Sequence, residues 1–175
     1  YDVATNDMEY DARGLLISFV RTTTNLKEAA GSLTPVKTTV ETVTQPIVYN
    51  RLGLQTAQTM TVEEKSVPEG DLHRLSTVKT VNYGFAANGS VSLFQKVTDE
   101  LDPTLPGRVL KTTTETTVDP QTYTPEGRLE RNSIAVREVS AGAELDHSYT
   151  LTILSSEYNA LGQLRSQVRE RTDFD

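Results

Sequence analysis

Five times along this 175-residue chain a tyrosine precedes a glycine by four residues, or once by six, and an alternating run follows. The segments are Tyr10-Asp11-Ala12-Arg13-Gly14, Tyr49-Asn50-Arg51-Leu52-Gly53, Tyr83 through Asn88-Gly89, Tyr123-Thr124-Pro125-Glu126-Gly127 and Tyr158-Asn159-Ala160-Leu161-Gly162. This recurrence limits the fold more than any other feature. Asp, Asn or Thr after the tyrosine can bond its side-chain oxygen to nearby backbone and start a turn. Pro125 fixes φ near the value that the first turn corner needs. The glycine falls where a short hairpin loop needs φ > 0, often as a G1 bulge. In the third segment, Asn88-Gly89 reads as a two-residue type I′ turn, and Tyr83–Gly89 as the motif with two inserted residues.

The flanks read as strands. Val36–Tyr49, Leu75–Tyr83, Val109–Tyr123 and Ser148–Tyr158 lead into turns, and Gly14–Thr24, Gly53–Lys65, Gly89–Glu100, Gly127–Ser140 and Gly162–Phe174 lead out. Leu54, Thr56, Gln58, Met60 and Val62 share one face; Val91, Leu93, Gln95 and Val97 do the same. Alternation breaks between Val40 and Val43, which suggests a bulge or two-sided burial. Asn25–Pro35, Ser66–Arg74, Leu101–Arg108 and Ala141–His147 read as connectors. The expected fold is all-β: tandem antiparallel β-hairpins forming a long twisted or curled sheet, as a shell, a spiral or a β-ribbon. The chain is then one array over 1–175, with approximate units 1–31, 32–70, 71–105, 106–142 and 143–175.

Residue choice agrees with that class. The chain holds 26 Thr and 17 Val, both β-branched and suited to a pleated, half-buried surface. Apolar residues make up only 36%, so the core should be thin for the length. The net charge of −7 leaves no basic groove for nucleic acid and argues against an anionic membrane surface. No apolar run approaches the ~18 residues of a spanning helix, so no membrane insertion is expected. Without cysteine, disulfides and thiol chemistry are excluded, as are the commonest zinc sites. Starting at Tyr1, inside a strand-like pattern, the chain reads as a piece of a longer protein.

Tyr10-Asp11-Ala12-Arg13-Gly14-Leu15-Leu16 resembles the YD-repeat, or Rhs repeat, whose core is Tyr-Asp-x-x-Gly followed by a polar residue and Leu. Tyr123–Leu129 and Tyr158–Leu164 match nearly as well, with Thr and Asn replacing Asp. Tyr49–Leu54 is looser, and Tyr83–Val91 departs by its insertion. The intervals from Tyr10 to Tyr49, Tyr83, Tyr123 and Tyr158 in turn are longer than those typical of the family. The resemblance implies very large secreted or surface proteins in which the repeats form a hollow β-shell and any activity sits in a separate terminal domain.

Catalytic constellations are not visible. His73 and His147 have no motif partner and read as solvated histidines; nucleophile elbows, P-loops and dinucleotide turns are absent. Asp7, Glu9 and Asp11, and Asp99, Glu100 and Asp102, form acidic clusters without a calcium-loop spacing. No catalytic residue, cofactor or metal is therefore expected. The repeat tyrosines read as packing residues, against a sugar-stacking ladder. Asn88-Gly89-Ser90 is also a glycosylation sequon, secondary to its turn role. Thr22–Thr24 and Thr112–Thr114 read as strand surface, against ice binding or O-glycosylation. The structural turn positions are Tyr10, Gly14, Tyr49, Gly53, Tyr83, Asn88, Gly89, Tyr123, Gly127, Tyr158 and Gly162.

The expected function is a non-enzymatic structural segment of a large secreted or cell-surface protein, extracellular or in a bacterial cell envelope, forming a shell, stalk or filament wall. The alternative is an adhesin-type module that binds glycans or a protein through its connectors. Expected partners are neighbouring repeats or identical subunits at the sheet edges, Tyr1–Tyr10 and Gly162–Phe174, with a glycan or cell-surface partner under the alternative.

Overall fold

In the computed structural model the chain is all-β. The structure describes residues 1–29, 32–68, 70, 72–105, 107–142 and 144–174. Ten strands follow in order: β1 (Asp2–Tyr10), β2 (Leu16–Ala29), β3 (Ser32–Tyr49), β4 (Gln55–Ser66), β5 (His73–Phe85), β6 (Val91–Leu101), β7 (Val109–Tyr123), β8 (Leu129–Ser140), β9 (Asp146–Tyr158) and β10 (Leu164–Phe174). Each is hydrogen-bonded to its sequence neighbours, from β1 to β10. Consecutive strands are antiparallel, as in β1/β2, β3/β4, β7/β8 and β9/β10. This is the tandem hairpin order expected of five turns with short links.

Contacts divide the chain into two compact units. One comprises Tyr1–Lys79 with Thr98–Leu110, and the other Thr80–Val97 with the chain from Lys111 onward. The first holds β1 to β4 and their turns; the second holds β8 to β10. The division crosses β5, β6 and β7 part-way along their lengths.

Two strands are longer than the sequence suggests. β2 has 14 residues and β3 has 18, so most of the expected connector Asn25–Pro35 is paired strand. The ladder runs through Asn25↔Lys37, Leu26↔Pro35 and Glu28↔Leu33. Pro35 is tolerated because the register slips beside it, leaving Val36 as the extra residue; a bulge is where a strand can accept proline. The Val36 carbonyl accepts the Val67 amide at 3.0 Å. The other three connectors shrink less, because β5 begins at His73 and β9 at Asp146.

Burial is sparse. Among the described residues Val43, Ile47 and Val136 are the buried apolar side chains, and none falls below 2% exposure. Val40 and Val43 carry no slip between them, so they face opposite sides of β3, which places apolar residues on both faces. In β8, Val136 is buried while Ala135 and Arg137 are exposed, so the covered face is that of Ile134 and Val136. No helix or second sheet supplies another layer among the described residues. Ladder hydrogen bonds and cross-strand side-chain pairs therefore carry much of the cohesion.

The register contains a longer repeat than one hairpin. In β3/β4 the pairing slips between Val43 and Gln45, Gln45 and Val48, and Val48 and Tyr49. In β7/β8 it slips between Thr117 and Asp119, Asp119 and Thr122, and Thr122 and Tyr123. Every position in the second set follows its counterpart by one constant interval, that from Tyr49 to Tyr123. The Lys37–Glu64 ion pair, 2.6 Å, recurs at the same interval as Lys111–Glu138, 3.2 Å. Lysine in β3 and β7 thus meets glutamate in the outgoing strand at the same level of both hairpins. The Lys37 hydrogen bond holds the Glu64 carboxyl below its usual range, against the opposing effect of burial.

Candidate functional site: the hairpin turns and their tyrosines

All five turns share one backbone design. In the first, the Asp11 amide donates to the Leu15 carbonyl and the Gly14 amide to the Asp11 carbonyl, each at 2.9 Å. The same pair of bonds joins Asn50 to Leu54 and Gly53, Thr124 to Arg128 and Gly127, and Asn159 to Gln163 and Gly162. Gly14, Gly53, Gly127 and Gly162 have φ between +78° and +81°. This is a three-residue loop made of a type I turn and a G1 bulge.

The residue after the tyrosine owes its identity to its side chain. Asp11 Oδ1 accepts the amides of Arg13 and Leu15 at 2.8 and 3.0 Å. Asn50 Oδ1 serves Leu52 and Leu54, and Asn159 Oδ1 serves Leu161 and Gln163, at 2.9–3.0 Å. One acceptor thus satisfies two loop amides, which explains the Tyr-Asp/Asn signature. Thr124 makes the longer single bond to the Arg128 amide, 3.3 Å. The Leu15 amide, followed by the Arg13 contacts, lowers the Asp11 pKa, with burial opposing.

The third turn differs from its sequence reading. The Ala86 amide donates to the Ser90 carbonyl, and the Gly89 amide to the Ala86 carbonyl. The loop is therefore Ala86 to Ser90, and the aromatic before it is Phe85 rather than Tyr83. No insertion remains: aromatic and glycine stand four residues apart in every turn. Nor is Asn88-Gly89 a type I′ turn, which needs φ > 0 at both residues. Gly89 has φ +83°, whereas Asp7 is the non-glycine residue with positive φ among those described. Asn88 instead accepts the Ser90 amide through Oδ1 at 3.0 Å. Tyr83 lies two residues upstream, 54% exposed, its hydroxyl 3.4 Å from the Phe94 carbonyl.

Three of the tyrosines reach out of their own hairpin. The Tyr49 hydroxyl donates to the Leu16 carbonyl at 2.6 Å, and Tyr158 to Leu129 at 2.6 Å. Tyr123 donates to the Val91 carbonyl. Each acceptor lies two residues after the preceding hairpin's turn glycine. Burial raises the Tyr49 pKa, with the charge of Asp11 adding to it; burial alone raises that of Tyr123. A neutral phenol held against a carbonyl is a structural staple, not an acid or base poised near neutral pH. Phe85 has no hydroxyl to donate. Tyr10, 56% exposed, has its hydroxyl 3.6 Å from Met8 Sδ, and a thioether is a weak acceptor.

Charged seams join the same hairpins. Arg21 Nε meets Glu41 Oε2 at 2.5 Å between β2 and β3. Lys96 Nζ meets Glu115 Oε2 at 2.6 Å between β6 and β7. In both, the cation lies seven residues after its turn glycine and the acid twelve before the next. Sequence reasoning missed these pairs, because their partners are distant along the chain and only the register brings them together.

The remaining candidates are used elsewhere. His73 Nε2 lies 2.9 Å from Glu63 Oε1, and His147 Nε2 lies 3.1 Å from Asp173 Oδ1. Both histidines stand at the starts of strands rather than in loops. The acidic clusters are not gathered into a ligand set: Asp11 is engaged by Arg13, and Asp102 by Thr104 and Arg108. Among the described residues no group of three or more carboxylates and histidines could hold a metal ion.

No family model, curated protein or solved structure matches this chain. What the turns can do is therefore read from their geometry alone. The type I–G1 loop makes a direct prediction. Among the described residues, a Cβ at Gly53 would touch only Leu15, at 3.9 Å, and one at Gly127 only Asn88 Nδ2, at 3.5 Å. Gly53→Val and Gly127→Val are then opposed by φ alone, and each should cost about 1–2 kcal/mol. Denaturation midpoints check this; neutral behaviour at both positions would show that the loops do not need a left-handed residue.

Proposed function

We propose that this chain is a non-enzymatic structural repeat segment of a large secreted or cell-surface protein, a long-spaced array of YD-repeat type that forms part of a shell, stalk or filament wall. The observation that carries this reading is the tyrosine staple. In three hairpins the aromatic that precedes the turn directs its hydroxyl to the backbone of the hairpin before it. The Asx residue that opens a turn directs its oxygen to the loop's own amides. The recurring side chains thus serve hairpin-to-hairpin cohesion, which is what a quasi-one-dimensional array requires. An extracellular or cell-envelope setting, in a bacterium, goes with the resemblance. Electron microscopy of the parent protein tests the reading: the array should appear as a continuous wall or fibre. A parent in which this segment is an isolated globule would overturn it.

A second reading rests on one groove. Glu64, His73, Arg74, Ser76, Thr98 and Glu100 line a hollow of about 350 Å³ at the connector end of the first unit. Those polar groups share the lining with apolar Val62, Leu75, Leu101 and Leu110, a mixture that suits a sugar, as the adhesin alternative requires. A glycan array decides it. A specific hit abolished by His73→Ala and Glu100→Ala favours the adhesin, and an empty array favours the structural segment.

A further inference from the structure

Of the seven asparagines in the chain, Asn88 alone is followed by glycine. That pair carries a reaction of its own. The Gly89 nitrogen, which has no side chain beside it, can attack Asn88 Cγ. A nitrogen–carbon bond forms, the Cγ–Nδ2 bond breaks, and Nδ2 leaves as ammonia with the proton that the Gly89 nitrogen gives up. Water then opens the five-membered imide at either of its carbonyls. One opening gives aspartate. The other gives isoaspartate, in which the main chain runs through the former side chain. The reaction consumes water and releases ammonia, and it needs no other reactant.

The third loop holds the two reacting atoms apart. The Gly89 amide donates to the Ala86 carbonyl at 2.9 Å, and the Ala86 amide to the Ser90 carbonyl at 2.8 Å. Asn88 takes the second corner of the type I turn, so the Gly89 nitrogen is turned back toward Ala86 and away from the Asn88 side chain. That side chain is exposed but engaged. Its Oδ1 accepts the Ser90 amide at 3.0 Å, and its Nδ2 lies 3.5 Å from where a side chain on Gly127, in the next turn, would begin. Attack on Cγ therefore requires the Gly89–Ala86 bond to break and the loop to open. This loop has less to lose on opening than its neighbours. Asp11, Asn50 and Asn159 each tie two loop amides. Ala86, which stands in their place, has no side-chain acceptor, and Asn88 ties one amide.

We infer that Asn88 is a self-modification site gated by its own loop. Closed, the third hairpin keeps Asn88 as asparagine. Opened, conversion to aspartate and isoaspartate competes with reclosing. The two products differ in what they allow. Aspartate keeps an oxygen for the Ser90 amide, as Asp11 keeps one for Leu15 in the first loop. Isoaspartate lengthens the main chain by one carbon between Ala86 and Gly89. The Gly89–Ala86 and Ala86–Ser90 bonds then cannot form together, and a third hairpin that has opened and reacted this way does not close again.

Timed incubation of the chain at mildly alkaline pH, in buffer and in guanidinium chloride, tests it. Peptide mass mapping and isoaspartate-specific enzymatic methylation read the products. In denaturant Asn88 should convert ahead of the other asparagines. In buffer its conversion should be at least tenfold slower. Ala87→Pro sharpens the comparison, because Pro125 holds the same place in the fourth loop and proline suits the first corner of a type I turn. That variant should slow the reaction severalfold in buffer and leave it unchanged in denaturant, with circular dichroism reading the fold of both chains. After return to buffer, the isoaspartate form should show a lower denaturation midpoint than the unreacted chain. Equal rates in buffer and denaturant, another asparagine reacting first, no slowing by Ala87→Pro, or an isoaspartate form with the unreacted chain's midpoint would each overturn the inference. None of these outcomes bears on the array reading.

Discussion

Gly84→Val is expected to destabilise the chain by about 1–3 kcal/mol, and for a reason different from the turn glycines. Gly84 is a strand residue of β5, without a left-handed φ. A Cβ there would lie 2.8 Å from Leu93 Cβ and 2.9 Å from Leu93 Cγ and Cδ1. Real Cβ atoms do not approach that closely, so β5 or β6 must move. The Leu93 backbone fixes its own Cβ, so a rotamer change cannot remove the closest contact. Chemical denaturation followed by circular dichroism measures the loss. Leu93→Ala in the Gly84→Val background removes the Leu93 Cγ and Cδ1 contacts and should recover part of it, a coupling that a double-mutant cycle isolates. A neutral Gly84→Val would show that the strands do not approach as described.

Thr117→Val should cost about 1–3 kcal/mol although shape is nearly conserved. Thr117 is 5% exposed. Its Oγ1 accepts the Phe94 amide at 3.0 Å and donates to the Phe94 carbonyl at 3.2 Å. The hydroxyl therefore stands in for a ladder partner on β6. Valine leaves that amide without its acceptor in a place where water is scarce. Val43 occupies the same level of β3, two hairpins earlier, and is buried there, so a valine side chain is compatible with this kind of strand. The loss then reports the hydrogen bonds rather than a clash. A change smaller than an ordinary hydrogen bond contributes would mean that the Phe94 amide finds another partner.

Much of this architecture was legible in residue order, and the misses have physical causes. The all-β class followed from Thr and Val with period-2 runs. The loops followed from Asx and Gly, because both residue types answer a backbone need. The third turn was misplaced because tyrosine served as the anchor. The loop itself depends on Gly89 and the Ala86 bonds, and any aromatic, here Phe85, can precede it. The long pairing of β2 with β3 was hidden by Pro35, a strand breaker except where a bulge absorbs it. The two-hairpin recurrence was visible in Lys37-Thr38-Thr39-Val40-Glu41-Thr42 and Lys111-Thr112-Thr113-Thr114-Glu115-Thr116. A search keyed to turns passes over it, since those residues lie mid-strand. The staples and charged seams could not be read at all without the register, which depends on bulges that composition does not announce.

That recurrence also bears on how such a chain can grow or shrink. The β2/β3 and β6/β7 seams are charged, while the corresponding level of β8/β9 pairs Ile134 with Leu151. Neighbouring seams therefore differ in chemistry, and a single copy of the β7/β8 hairpin would set Glu115 beside the aliphatic Ile134 rather than beside a cation. A block of two hairpins avoids that mismatch. Excising 37–110, for example, would bring Lys111 to the place of Lys37 and Glu115 to the place of Glu41, opposite Arg21. A two-hairpin block is thus the unit by which this array can lengthen or shorten with its charged seams kept.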